Sequence, residues 1–329
     1  MTADDHYKRA AELHTKRDLD GAIAEYREGL RLSPGDALAH MNIGNAFMGK
    51  RDFSAAVAEY REAVRLDPNH PLPHNHLAFG LLRRGDRDEA IVEYREAIRL
   101  KLNLPATHGN LATALYETGH REEAMFHYRE AVRLAPDHAI LRCNFANALA
   151  ATGVLDGAAS EYRESIRNDD GYIEAHIGLA DVLCGQGQID AAIVEYRRAL
   201  TLNPDHAEAH YNLGNALANM GDLSGAATEY RAALGINPNF ARARYNLGLV
   251  LARQGDFDEA IAAFREALRI EPDNADAHNA LGQALSAKGD LTRALAEYRE
   301  ALHLRPDFLV AEVNRATCMA ELAIRYRET

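Results

Sequence analysis

The candidate reactive groups of this 329-residue chain are fifteen histidines, three cysteines and a recurring Glu-Tyr-Arg tripeptide. The tripeptide begins at residues 25, 59, 93, 161, 195, 229 and 297, so successive copies lie 34 or 68 residues apart. Such spacing indicates either a chemical site copied many times or one part of a repeated structural unit. The surrounding residues distinguish these two interpretations.

No catalytic motif accompanies the tripeptide. The sequence lacks the phosphate-binding GxxxxGK[ST] pattern, the GxSxG nucleophile turn and the HExxH zinc motif. The best-placed histidines are two i,i+4 pairs, His70 with His74 and His206 with His210. Two imidazoles alone make a weak metal site, and no carboxylate or thiol cluster accompanies them. We therefore predict a protein that is not an enzyme and has no metal site and no cofactor.

Charge and cysteine content narrow the function classes further. The formal net charge is −12, which argues against binding to nucleic-acid phosphates or to an anionic membrane surface. Cys143, Cys184 and Cys318 form no CxxC motif, as in proteins of a reducing compartment. The first twenty residues lack the apolar segment of a signal peptide, and no apolar run approaches the ~20 residues of a membrane span. A cytoplasmic location is predicted.

The tripeptide belongs to a 34-residue repeat, of which nine copies follow one another without insertion or deletion. The repeats begin at residues 3, 37, 71, 105, 139, 173, 207, 241 and 275. Within each, position 8 is Gly or Ala, position 20 is Ala, position 24 is aromatic and position 25 is Arg. Apolar or small residues at positions 7, 8 and 11, and again at 20, 21, 24, 27 and 28, have the 3.6-residue period of two helices.

Turn residues separate these two helices. Gly occupies position 15 in seven repeats, and Pro ends the second helix at position 32 in seven. Position 18 holds good N-cap residues for the second helix, such as Asp88, Asp190, Ser224 and Asp258. One helical hairpin cannot bury its apolar face alone, so the hairpins are predicted to stack.

This unit resembles the tetratricopeptide repeat (TPR). The seventh repeat carries the full set of matching residues: Leu213, Gly214, Ala226, Tyr230, Ala233 and Pro238. The resemblance implies an all-α, right-handed superhelical α-solenoid of nine TPR units. One departure is position 4, where the family often has Trp and this chain usually has His, which predicts a wetter position. We expect a single solenoid domain over residues 3–308 and a C-terminal capping helix with a polar outer face over 309–326.

The fifth repeat is irregular at its end. It has Asn168-Asp169-Asp170 where other repeats read Leu-x-Pro, and Ser165 where most have Ala. Altered curvature or weaker packing is predicted at this place.

The exposed face of the first helix is the predicted binding surface. Its positions 5, 9 and 12 are mostly uncharged, and Asn recurs at position 6. By resemblance, this face lines a concave groove, where side-chain amides bind a peptide backbone and apolar side chains receive its residues. The alternative is that Asn simply tolerates a wet helix surface. The predicted peptide-binding residues are Asn42, Asn45, Phe79, Asn110, Asn144, Asn147, Tyr211, Asn212, Asn215, Tyr245, Asn246 and Leu249.

These features predict a protein–protein interaction scaffold that binds a peptide segment or helix of a partner protein. Position 5 never holds Lys and position 6 never holds Arg, so the clamp by which TPR co-chaperones hold a C-terminal carboxylate is not expected. Two alternatives stay open. One is a self-assembling structural protein that forms homo-oligomers through the solenoid ends. The other is a substrate-targeting subunit for a separate enzyme, such as a glycosyltransferase.

Overall fold

The computed structural model describes residues 1–328, with side chains for residues 1–325, and all regular structure in this part of the chain is helical. The nineteen helices are α1 (Ala3–Thr15), α2 (Leu19–Leu32), α3 (Ala37–Gly49), α4 (Phe53–Leu66), α5 (Pro71–Arg84), α6 (Arg87–Arg99), α7 (Pro105–Glu117), α8 (Arg121–Leu134), α9 (Ala139–Ala151), α10 (Leu155–Asn168), α11 (Ile173–Gly185), α12 (Ile189–Leu202), α13 (Ala207–Met220), α14 (Leu223–Ile236), α15 (Ala241–Gln254), α16 (Phe257–Ile270), α17 (Ala275–Ala287), α18 (Leu291–Leu304) and α19 (Leu309–Glu328).

Each odd-numbered helix from α1 to α17 begins at the first residue of a repeat and packs against the helix that follows it. The turn between them has a left-handed residue at position 15. This residue is glycine in seven repeats, for example Gly85 with φ of 102°, whereas Arg17 and Arg51 adopt the same region with φ of 64° and 62°. The residue after it, at position 16, is the N-cap of the second helix, and the Asp222 side chain accepts a hydrogen bond from the Gly225 backbone N–H at 2.8 Å. The N-cap predicted at position 18 was therefore two residues too late. The turn residue is at position 15 and the second helix begins at position 17, so position 16 is the N-cap.

The aromatic ring at position 24 fills the space between the two helices of each repeat. Tyr60 is 1 % exposed, and Tyr94 and Phe264 are fully buried. A Cβ atom on Gly44, at position 8, would lie 2.4 Å from the Tyr60 ring. The small residue at position 8 thus lets the ring lie directly against the backbone of the first helix.

The chain divides into two compact parts, Met1–Asn168 and Asp169–Thr329, which we call the N-terminal half and the C-terminal half. The division falls at the irregular end of the fifth repeat. Ser165 is buried there and donates a hydrogen bond to the backbone carbonyl of Ala139 at 2.8 Å. One solenoid domain over residues 3–308 remains a prediction.

Three of the seven position-4 histidines are buried, contrary to the sequence-based expectation of a wetter position, and the other four are half-buried. His74, His108 and His176 are buried. In most repeats the histidine Nδ1 lies against a glutamate at position 23, as between His278 and Glu297 at 2.7 Å. In six of the nine repeats, position 4 is therefore a hydrogen-bonded histidine–glutamate contact that closes the hairpin.

Helix α19 packs on α18 through the buried residues Ala311 and Cys318. Its outer face is not polar, because Val310, Val313 and Ile324 lie on one side of the helix and are all more than half exposed. In the described residues, no helix has the length and apolar character needed to cross a membrane.

Candidate functional site

The largest group of predicted binding residues meets in the C-terminal half. A cavity of about 660 Å³ lies along the first helices α13, α15 and α17. Tyr211, Asn215, Asn246 and Leu249 line it, as the sequence pattern of positions 5, 6 and 9 indicates. The volume falls within the ~300–1,000 Å³ range of ligand pockets.

Seven lining residues lay outside the predicted set, and three of them have polar side chains at positions 9 and 13 of the repeat. Asn219 and Arg253 are at position 13 of their repeats, and Gln283 is at position 9 of the ninth. Position 13 follows position 9 by one helical turn, so it faces the same side of the helix. This i,i+4 relation was the available signal for Asn219 and Arg253.

Hydrogen bonds fix the amides of the cavity. Asn215 Oδ1 accepts from the Tyr230 hydroxyl at 2.7 Å and from Asn246 Nδ2 at 2.8 Å. Burial raises the pKa of Tyr230 to about 12, so its hydroxyl keeps the proton that it donates. Asn246 Nδ2 also donates to the Tyr211 hydroxyl oxygen at 3.3 Å.

This arrangement decides what the cavity offers a ligand. An amide NH₂ group has two N–H bonds, and Asn246 directs its own toward Asn215 and Tyr211. Its carbonyl oxygen therefore remains as an acceptor. Tyr211 accepts the bond from Asn246, so its own O–H remains as a donor.

The tyrosines at position 5 are partly packed rather than fully exposed. The Tyr211 ring centroid lies 4.9 Å from that of Phe240 and 6.0 Å from that of Tyr230. The ring centroids of Tyr245 and Phe264 lie 5.9 Å apart, and burial raises the pKa of Tyr245. Tyr245 is not among the residues that line the cavity.

Asn212 takes part in a second contact of the same kind. Its Nδ2 donates to the carboxylate of Asp181 at 3.2 Å, and that carboxylate also accepts from the Tyr196 hydroxyl. Burial raises the pKa of Asp181. Asn212 therefore links two successive first helices and does not line the cavity.

The other predicted residues lie on α3, α5, α7 and α9 of the N-terminal half. Asn45 accepts a hydrogen bond from Tyr60, and Asn147 accepts one from Tyr162. Phe79 is exposed, and the remaining predicted amides are half-buried: Asn42, Asn110 and Asn144. A smaller cavity of about 150 Å³ in this half is lined by other residues, among them Leu38, Met41 and His70.

Among the side chains of residues 1–325, no group of three or more His, Cys, Asp or Glu is arranged to hold a metal ion. The histidines that begin the two i,i+4 pairs have structural roles. His70 and His206 are N-caps of α5 and α13, and their Nδ1 atoms accept from backbone N–H groups.

Family models cover most of the chain. One, described as TPR repeat, matches residues 180–221. A second, described as tetratricopeptide repeat, matches residues 7–71, 219–275 and 245–307. A third with the same description matches residues 44–170. The chain belongs to the tetratricopeptide repeat family. The TPR pattern and the helix bounds above agree in all nine repeats.

Solved TPR structures share the fold. YrrB, described as a TPR protein with an unusual peptide-binding site, is 25% identical, with a TM-score of 0.53; the match covers 57% of this chain and 97% of YrrB. The C-terminal part of a TPR repeat-containing protein from Cytophaga hutchinsonii is 16% identical, covering 72% and 97%, with a TM-score of 0.61. A chain of the APC/C hetero-tetramer Cut9–Hcn1 is 17% identical, covering 97% and 67%, with a TM-score of 0.55. The comparison with curated protein sequences gave no significant match.

Proposed function

We propose that this TPR protein is a non-enzymatic, cytoplasmic interaction scaffold, and that its C-terminal half binds a peptide segment of a partner protein in the 660 Å³ cavity. The observation that carries the proposal is the hydrogen bonding of Asn246. Both of its N–H bonds are directed within the protein, so an acceptor oxygen is held in a fixed position in the cavity lining.

The donor and acceptor set suits a peptide backbone. Each ordinary peptide unit has one N–H donor and one C=O acceptor, and both need partners when they leave water. The Asn246 carbonyl can accept from the peptide, and the Tyr211 hydroxyl can donate to it. Leu249 and Ala218 supply an apolar wall for a side chain. The likeness to YrrB, itself described as having a peptide-binding site, is further support.

The test is selection of a phage-displayed library of random twelve-residue peptides on the purified chain. Enriched peptides are then measured by calorimetry against Leu249→Lys, which places a charged side chain in the cavity. Val194→Lys is the matched control, because Val194 is an exposed apolar residue of the same half and does not line the cavity. We expect Leu249→Lys to abolish binding and Val194→Lys to retain it. Equal binding by both variants would place the peptide site elsewhere.

Self-association is a second candidate function, favoured by the outer face of α19. Val310, Val313 and Ile324 form an exposed apolar face along α19. A second copy of α19 would cover this face in a two-fold helix pair.

Sedimentation velocity tests this candidate with Val313→Lys/Ile324→Lys and with truncation after residue 308. Oligomers in the wild type that both changes convert to monomers would support it. A monomeric wild-type chain at tens of micromolar would rule it out.

A further inference from the structure

The cavity of the C-terminal half has an unusual charge for this protein. The chain has a net charge of −12, yet the only ionised side chain among the lining residues is Arg253. Arg253 is exposed, and within the described residues it makes no ion pair or side-chain hydrogen bond. Its guanidinium group therefore has five N–H donors available.

Nearby arginines are different, because acidic side chains neutralise them. Arg242 Nη2 lies 3.1 Å from Glu208 Oε1, and Arg231 Nη2 lies 2.7 Å from Glu259 Oε2. Arg305 lies 2.6 Å from Asp276. Arg253 has no acidic partner in the part of the chain that the structure describes, and it lies in the lining of the cavity where the proposed peptide binds.

An anionic group is the chemical match for this cation. A guanidinium forms two parallel hydrogen bonds with a carboxylate, and such charge-assisted bonds are stronger than neutral ones. The other lining side chains near it are amides or apolar groups, which do not compete for the guanidinium as a carboxylate would.

We propose that the peptide carries an aspartate or glutamate side chain that pairs with Arg253, beside an apolar side chain that packs against Leu249. This inference rests on the proposed function, because it names the class of peptide that the same cavity takes. It commits to a side-chain carboxylate within the peptide and not to a free C-terminus.

The test uses the enriched twelve-residue peptides, synthesised with acetylated and amidated ends. Selection on the wild-type chain should enrich Asp or Glu at one position, and selection on Arg253→Glu should enrich Lys or Arg at that position. Changing the acidic residue to its amide should weaken binding to the wild type at least about tenfold. The same change should have no effect on binding to Arg253→Gln, because the partner cation is already absent. Arg231→Gln is the control, since Arg231 is paired with Glu259 and lies outside the cavity lining.

The outcomes separate the two proposals. Peptides that bind in the cavity with no acidic preference, or that lose binding only when the C-terminal carboxylate is amidated, would overturn the acidic-peptide inference and leave the proposed function intact. If no peptide is enriched, or if Leu249→Lys has no effect on the enriched peptides, the proposed function fails and the inference fails with it. Unchanged melting curves of Arg253→Gln and Arg253→Glu would show that the variants are folded.

Discussion

The two halves of the molecule have the same core and different first-helix surfaces. At position 2 of the repeat, the N-terminal half has the apolar residues Leu38, Leu72, Ala106 and Ile140 after the first repeat. At the same position, the C-terminal half has the charged residues Glu174, Glu208, Arg242 and Asp276. Leu38 is 60 % exposed and Ile140 is 49 % exposed, so neither residue is needed for the core.

This difference indicates which positions of the repeat can vary without changing the fold. Positions 8, 20 and 24 are buried in both halves and vary little, because they form the contacts between helices. Position 2 changes from apolar to charged without changing the helices. The exposed first-helix surface is therefore apolar at position 2 after the first repeat of the N-terminal half and charged at that position in the C-terminal half.

The substitutions with the largest expected effect on the free energy of unfolding test whether the core is the same in both halves. Tyr60→Ala and Tyr196→Ala remove a buried ring from each half, and we expect each to lower the free energy of unfolding by ~3–5 kcal/mol. Urea unfolding followed by circular dichroism measures this. Tyr60→Phe and Tyr196→Phe are the controls, since they lose only the hydroxyl bonds to Asn45 and Asp181 and should cost about 1 kcal/mol. A tolerated alanine in one half would show that the cores differ.

A smaller effect is expected where the halves meet in sequence. Because Asn168 and Asp170 replace the usual leucine and proline, backbone hydrogen exchange among the interior repeats should be fastest within residues 165–172. Exchange followed by mass spectrometry measures this. The equivalent segment of the seventh repeat, residues 233–240, is the internal comparison. Uniform protection across both segments would contradict the prediction.

Histidines predict opposite responses of the two halves to pH. In the N-terminal half, burial lowers the pKa of His76, His108 and His127. In the C-terminal half, the hydrogen bond to Glu297 raises the pKa of His278 against the effect of burial. Burial also acts to lower the pKa of His176, but its bonds to Glu195 and to the Asp170 carbonyl outweigh burial and raise it.

The sign follows from the affinity of each state for protons. A lowered pKa means that the unfolded chain binds protons more readily, so the N-terminal half loses stability as the pH falls below about 6.5, the ordinary pKa of histidine. A raised pKa contributes stability that is complete below about 6.5 and is lost as the pH rises through the folded-state value. Between pH 8 and pH 5.5, hydrogen exchange corrected for its intrinsic rate should become faster in the N-terminal half and slower in the C-terminal half.

One substitution sharpens this pH comparison. His108 Nδ1 lies 2.9 Å from His127 Nδ1, where seven of the nine repeats have a glutamate. His127→Glu supplies the carboxylate and should raise the pKa of His108, which an NMR titration measures. His127→Gln is the control, because it supplies no charge. A pKa of His108 that is the same in both variants would contradict the conclusion that a carboxylate at position 23 raises the pKa of the position-4 histidine.

The smallest effect concerns the position-2 surface itself. Leu38→Glu and Glu208→Leu exchange the characters of the two halves, and each should change the free energy of unfolding by less than ~0.5 kcal/mol, because exposed side chains contribute little. Thermal unfolding measures this. Leu38→Glu should also leave the affinity of peptides selected on the C-terminal half unchanged. A loss of several kcal/mol would assign Leu38 to the core.

The sequence predicted the helices well because their determinants are local and repeated nine times. A buried ring at position 24 and a small residue at position 8 give the same hairpin wherever they recur. The position-15 turn was predicted in seven repeats from glycine, whereas Arg17 and Arg51 adopt the same backbone region without that signal.

The candidate site was less predictable because its chemistry depends on contacts between repeats. The pattern identified Tyr211, Asn215, Asn246 and Leu249 as surface residues, but it gave no indication that the N–H bonds of Asn246 are used internally. The histidine contacts have a signal in the sequence, because a glutamate at position 23 accompanies the histidine at position 4 in six repeats. The position-23 glutamate is replaced by His127 and Ala263 in two repeats, and the position-4 residue of the latter repeat is Arg244.

The bond between Asn246 and Asn215 has a mechanical consequence for the cavity. It sets the angle between α13 and α15, since hydrogen bonds weaken steeply when they are misaligned. The next step along the chain has no such bond, because Leu249 and Ala280 occupy the corresponding positions 9 and 6. α17 is positioned instead by its packing against α16 and α18. One wall of the cavity is therefore oriented by a directional side-chain hydrogen bond between first helices, and the wall that carries Gln283 is oriented by helix packing.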